Sequence, residues 1–256
     1  MNRKIKPPSP KTVKSSTLSI KAAEVAALLQ QGLNLHRSGQ LQEAQQCYQK
    51  ILAINSKHFD ALQLSATIET QLGSHKNALV LFNQALDLNQ TNAAVFNNRG
   101  HALQELRRFD DALASYAQAI RIQPDYADAF YNRGVTLQEL KRFDDALASY
   151  AEAIRIQPDY AGAFCNRGNA LQELKRFDDA LASHAEAIRL KPDYAEAFNN
   201  RGNALKELKR FDDALESYAE AIRLKPGYAD AFYNQGVTLQ ELKRFDDALE
   251  SYERGG

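Results

Sequence analysis

Two cysteines, five histidines and a recurring pair of aspartates are the residues of this 256-residue chain whose types could do chemistry. A zinc site needs His and Cys at short, defined spacings. His36, His58, His75, His101 and His184 instead lie far apart or on different sequence units, and no two have that spacing. A catalytic thiol needs a neighbouring base; nothing beside Cys165 in sequence supplies one, so it reads as a free thiol. Cys47 and Cys165 show no pairing pattern, which fits a reducing compartment and predicts a cytoplasmic protein. The aspartate pairs, Asp110–Asp111 through Asp246–Asp247, could serve acid–base or metal chemistry. Each pair, however, opens a predicted helix, where carboxylates oppose the positive end of the helix dipole and cap it. Every repeated glycine falls within a helical pattern rather than between a strand and a helix, so none builds a phosphate loop. The sequence predicts no enzyme activity, no metal and no cofactor.

The elements that carry these residues repeat. The segment Ala127–Tyr160 recurs as Ala161–Tyr194 with 27 of 34 positions identical. Such a period marks an array of stacked units. In that register the units span 25–58, 59–92, 93–126, 127–160, 161–194, 195–228 and a partial 229–256, giving an array over 24–256. Within 127–160, Phe130, Gly134 and Leu137 share one helical face. Lys141 and Arg142 form a turn, and Ala146, Tyr150 and Ala153 line the inner face of a second helix that Pro158 ends. Gly134 and Ala146 let the two helices approach. His184 occupies the slot of Tyr116, Tyr150 and Tyr218, so it reads as a core residue.

Phe130, Gly134, Leu137, Ala146, Tyr150, Ala153 and Pro158, recurring in neighbouring units, resemble the tetratricopeptide repeat pattern. Leu28, Gly32, Leu35, Ala44 and Tyr48 keep it in the first unit; the second keeps Leu62, Ala78, Phe82 and Ala85, with Ala66 for the glycine. The resemblance implies an all-α fold, a right-handed superhelical solenoid of helix-turn-helix repeats that works as a protein–protein interaction scaffold. One departure recurs: the residue before the glycine, usually Leu in the family, is Arg99, Arg133, Arg167 or Arg201. Its stem could pack between first helices with its head at water or a carboxylate, or the four could form a basic stripe toward a ligand.

Differences among repeats 3–7 concentrate on one stripe of the first helix, which in the family faces the concave groove. Repeat position 5 reads Asn97, Tyr131, Cys165, Asn199 and Tyr233, and position 9 reads His101, Val135, Asn169, Asn203 and Val237. Position 2 also varies. Between them, position 6 is constant as Asn98, Asn132, Asn166, Asn200 and Asn234. A carboxamide offers donors and an acceptor together, so it can pair with a peptide bond whatever the side chain beside it. These fifteen residues form the expected peptide-binding site, with an extended peptide of a partner protein as ligand. The asparagine row is similar to the inner surface of the repeat region of O-linked N-acetylglucosamine transferases. The alternative function is therefore the substrate-recruiting region of a larger glycosyltransferase, an idea prompted by the chain's stopping inside its seventh repeat. The carboxylate-clamp mode of chaperone-binding repeats is disfavoured, because Cys165 stands where that mode has a lysine and Glu196 of the next repeat would face the ligand carboxylate.

Thirty-two basic residues balance thirty-two acidic ones. The balance is uneven: Arg3, Lys4, Lys6, Lys11, Lys14 and Lys21 leave residues 1–23 at +6 and the rest at −6. With Pro7, Pro8 and Pro10 and a Ser/Thr-rich stretch, residues 1–23 read as a disordered tail. An acidic folded region argues against nucleic acid as partner. No apolar run is long enough for a membrane span, and no small-molecule substrate is indicated. Self-association through the exposed face of the seventh repeat is a further expectation.

Overall fold

The computed structural model describes the backbone of residues 10–256 and the side chains of residues 21–256. Its described residues divide into two compact units, one ending at Ser115 and the other running from Tyr116 to Gly256. The first holds α1 (Pro10–Arg37), α2 (Leu41–Ile54), α3 (Phe59–Gln71), α4 (His75–Leu88), α5 (Ala93–Glu105) and the start of α6 (Phe109–Ile122). Each of α1 to α4 packs on the helix after it, and α3 also touches α5. The second unit holds the rest of α6 with α7 (Ala127–Glu139), α8 (Phe143–Ile156), α9 (Ala161–Glu173), α10 (Phe177–Leu190), α11 (Ala195–Glu207), α12 (Phe211–Leu224), α13 (Ala229–Glu241) and α14 (Phe245–Gly255). From α7 onward each helix packs on its successor, and the first helices α7, α9, α11 and α13 also touch one another in turn. The fold is an all-α helical-repeat solenoid. The expected tail falls partly on residues 1–9, which lie outside the described residues; from Pro10 the backbone is already that of α1.

Local chemistry sets the 34-residue beat. At the turn inside each repeat the chain enters the left-handed region, at Gly39 (φ 77°) and Gly73 (φ 75°) and then at Arg107, Lys141, Lys175, Lys209 and Lys243 (φ 56–62°). The Arg142 N–H reaches back to the Leu137 carbonyl at 2.9 Å, and the Lys141 N–H to that of Gln138 at 2.9 Å. This closes the first helix as a Schellman-type end. Inside the repeat, Ala146, Tyr150 and Ala153 are fully buried. A Cβ added to Gly134 would lie 2.6 Å from the Tyr150 ring, and one added to Gly202 would lie 2.5 Å from that of Tyr218. The close helix crossing expected at these glycines is therefore real, and the ring at position 24 is what the glycine accommodates.

The arginines before the glycines are held between helices. Arg133, Arg167 and Arg201 lay their guanidinium groups 5.0–5.2 Å over Phe130, Phe164 and Phe198. Each Nε donates at 3.1 Å to Ser149, Ser183 or Ser217, a serine sixteen residues on. The partner is a hydroxyl rather than the expected water or carboxylate, and burial lowers the pKa of Arg133 and Arg167. In the first unit Arg99 donates to Asn83 at 2.8 Å and to Ser115 at 2.7 Å. The N-cap positions of α8, α10, α12 and α14 are held by Arg142, Arg176, Arg210 and Arg244, whose side chains make no capping bond, and the aspartate pairs sit in the first turn. The second aspartate pairs with the preceding arginine, as Asp145 does with Arg142 at 2.6 Å. These pairs are exposed and contribute little; dipole complementarity remains the reason for acids there.

Candidate functional site

In the second unit the first helices α7, α9, α11 and α13 stand side by side and carry the candidate stripe, and adjacent helices bond across it. The Asn166 amide donates to the Tyr131 hydroxyl at 3.0 Å. Asn200 donates to Asn169 Oδ1 at 2.9 Å and approaches Cys165 Sγ at 3.9 Å. Asn234 donates to Asn199 Oδ1 at 3.0 Å. The constant asparagine of repeats 5, 6 and 7 thus finds an acceptor at position 5 or position 9 of the repeat before it. Where position 9 is the apolar Val135, Tyr131 accepts; where position 5 is Cys165, Asn169 at position 9 accepts. In the following repeat Asn199 accepts, while Asn203 Oδ1 takes the Tyr218 hydroxyl at 2.9 Å.

These bonds use the amide hydrogens of the row and leave the Oδ1 atoms of Asn166 and Asn234 outside them. Asn132 is half-buried and also engaged. Position 5 is more enclosed than a contact stripe requires. Cys165 and Asn199 are buried, Tyr131 is half-buried, and Tyr233 alone of the four is exposed, at 62%. Burial pushes the Cys165 thiol up to about 11, against the opposite pull of its hydrogen bonds with Tyr194 and Asn200. Val135, Asn169, Asn203 and Val237 are half-buried. In the first unit, α5 carries buried Asn97, whose amide donates to Asn98 Oδ1 at 3.4 Å, and half-buried His101, 3.8 Å from Glu105.

A further set of groups lies on this face, the tyrosines that end repeats 3 to 6. Tyr160 stacks on Tyr131 at 4.8 Å and donates to Asp128 at 3.0 Å. Burial and that carboxylate push its phenol pKa up. Lys191 lies 4.7 Å from the Tyr194 ring centre and Lys225 4.3 Å from that of Tyr228. The constancy of Tyr at position 34 in repeats 3–6 was a visible signal, but the reach of Tyr160 back to position 2 of its own repeat, on the first helix, is a property of the packed array.

Away from this face, His184 is fully buried against Gly168, where an added Cβ would lie 2.4 Å from its ring. Its Nε2 meets Gln172 Nε2 at 3.1 Å, its Nδ1 has no partner, and burial lowers its pKa to about 4. Among the described residues no cluster of three His, Cys, Asp or Glu could hold a metal ion. No described helix is long and apolar enough to cross a membrane.

Family models described as tetratricopeptide repeats match residues 25–58, 97–161, 195–228 and 229–255, and a TPR repeat model matches 66–107 and 168–209. No curated protein matches the chain. Among solved structures, YrrB, described as a TPR protein with an unusual peptide-binding site, is 28% identical. The match covers 68% of this chain and 90% of that one, with a TM-score of 0.57. A tetratricopeptide repeat protein from Parabacteroides merdae shares the fold at 15% identity, covering 91% and 92% of the two chains with a TM-score of 0.73. The pilF protein of Pseudomonas aeruginosa does so at 20%, covering 88% and 98%, with a TM-score of 0.72. The chain belongs to the tetratricopeptide repeat family, whose paired helices serve as protein-interaction scaffolds.

Proposed function

We propose that the second unit binds an extended peptide segment of a partner protein along the face of α7, α9, α11 and α13. The observation that carries this reading is the asparagine row. Its amide groups are fixed by the neighbouring repeat, while Oδ1 of Asn166 and Asn234 stays outside those bonds and can accept from a peptide N–H. An acceptor held still by its own donor bond loses little entropy on binding, which favours affinity. Tyr233, Val135 and Val237 supply apolar contact beside the row. The resemblance to YrrB supports the reading, since that protein is described by its peptide-binding site.

The test starts from peptides selected by display on the full chain, followed by hydrogen exchange with and without the tightest one. Protection is expected on α7, α9, α11 and α13. Asn234→Ala, which removes one groove acceptor, should weaken binding about fivefold to tenfold at unchanged helicity, the worth of one hydrogen bond. Protection confined to second helices, or undiminished binding by Asn234→Ala and Asn166→Ala alike, would overturn the proposal.

A further inference from the structure

In the first unit, α2, α3 and α4 border an open cleft of about 310 Å³ lined by Gln45, Gln49, Leu52, Ser65, Glu69 and Leu81, with Asn77 and Val80 at its rim. Its polar atoms are acceptors without enough donors. Ser65 is 1% exposed and its hydroxyl has no partner; Gln45 Oε1 is buried and also has none. The half-buried Glu69 carboxylate receives only neutral amides, Gln45 Nε2 at 3.0 Å and Asn77 Nδ2 at 3.4 Å. Buried acceptors left unpaired are costly, and a carboxylate in such a place favours a cationic donor.

The array itself shows what chemistry belongs there. Ser65 stands at repeat position 7, which is Arg99, Arg133, Arg167 and Arg201 in the following four repeats. Arg99 sends its guanidinium between Asn83, at position 25 of the repeat before, and Ser115, at position 23 of its own. Gln49 and Leu81 hold those two positions around the cleft. The second repeat therefore lacks the arginine that fills this place in repeats 3–6 and leaves the space open.

We propose that this cleft is a binding site for an arginine side chain presented by a partner protein. The guanidinium, with five donors and no acceptor, would take Glu69 as its counter-charge and donate to Gln45 Oε1 and Ser65 Oγ. Its alkyl stem would pass Leu81 and Val80, which is 56% exposed at the mouth. The site belongs to the first unit and does not depend on the proposed face of the second.

The probe is N-acetyl-arginine methylamide, an arginine blocked as it is inside a chain, titrated into the full protein by NMR. Its neutral isostere N-acetyl-citrulline methylamide is the control. Shifts are expected at Gln45, Ser65 and Glu69, with the arginine probe binding at least about tenfold more tightly than the citrulline one, as charge-assisted bonds require. Glu69→Gln, which keeps the shape, should remove most of that preference. Ser65→Arg should fill the cleft from within and abolish binding; if that variant does not fold, Glu69→Gln still decides. Equal binding of the two probes, no effect of Glu69→Gln, or no binding at all (a cleft that holds water only) would overturn the proposal. Tighter binding of free arginine than of the blocked residue would overturn its assignment to a protein partner.

Discussion

Lowering the pH should loosen the second unit through one residue, His184. Its ring fills the slot that Tyr150 and Tyr218 fill in neighbouring repeats, and it is fully buried with Nδ1 unpartnered. Burial, helped by the Arg201 charge, lowers its pKa from 6.5 to about 4. The unfolded chain therefore binds a proton between pH 6.5 and about 4 that the folded chain refuses. Stability from this group is complete above pH 6.5 and falls as the pH drops toward 4, levelling off below. At about 1.4 kcal/mol per pH unit the full loss is about 3 kcal/mol, and about 2–3 kcal/mol of it is spent by pH 4.5. Urea unfolding of the native chain and His184→Tyr at pH 7.5 and 4.5 isolates the term, because every other titrating group is common to both. The variant should also be more stable at pH 7.5 by about 1 kcal/mol, since its hydroxyl can reach Gln172 as Tyr150 reaches Gln138 at 3.1 Å. Equal losses of stability in the two chains between those pH values would refute the reasoning, as would an NMR titration of His184 near 6.5.

Gly134→Ala should cost about 1–3 kcal/mol in thermal or urea unfolding, because its Cβ would enter the Tyr150 ring, already fully buried. Lys141→Gly should stabilise the chain by up to about 1 kcal/mol in the same assay, by relieving a left-handed residue at φ 57° whose exposed side chain can be spared. Cys165, 2% exposed with its thiol pushed up to about 11, should resist iodoacetamide at pH 8 and react only as the unit unfolds, which mass spectrometry of the modified site would report. Tyr131→Phe should cost about 1–3 kcal/mol by leaving the Asn166 amide without its acceptor, and adding Val135→Asn should restore much of that, as a double-mutant cycle would read.

The elements were legible because a 34-residue period repeats every local signal: the small residue facing a ring, the basic turn, the acids that open a helix and the proline that follows it. What the period concealed is pairing between helices. The partner of Arg133 is Ser149, sixteen residues on, and that of Asn166 is Tyr131, thirty-five residues back. Neither spacing is a helical one, so neither pair shares a face that a pattern within one helix could reveal. The co-occurrence of Arg at position 7 with Ser at position 23 in repeats 3–6, and the absence of both from the second repeat, were the signals available.

The same pairing changes what variation along the stripe means. Positions 5 and 9 read as free to vary around a constant asparagine, which suits a surface tuned to a ligand. Yet in the second unit each repeat keeps one acceptor for the asparagine of the next, Tyr131 beside Val135, Asn169 beside Cys165, and Asn199 beside Asn203. Drift acting on the two positions independently would sometimes leave both without an acceptor, and a half-buried amide without a partner costs more than most surface substitutions. The stripe is thus constrained as a pair of positions, one to hold the neighbouring repeat and the other to differ. A ligand bound as proposed would meet Val135 at the position left open, whereas Cys165 is buried and Asn203 takes the Tyr218 hydroxyl, so the packing of the first helices would set where specificity can be written.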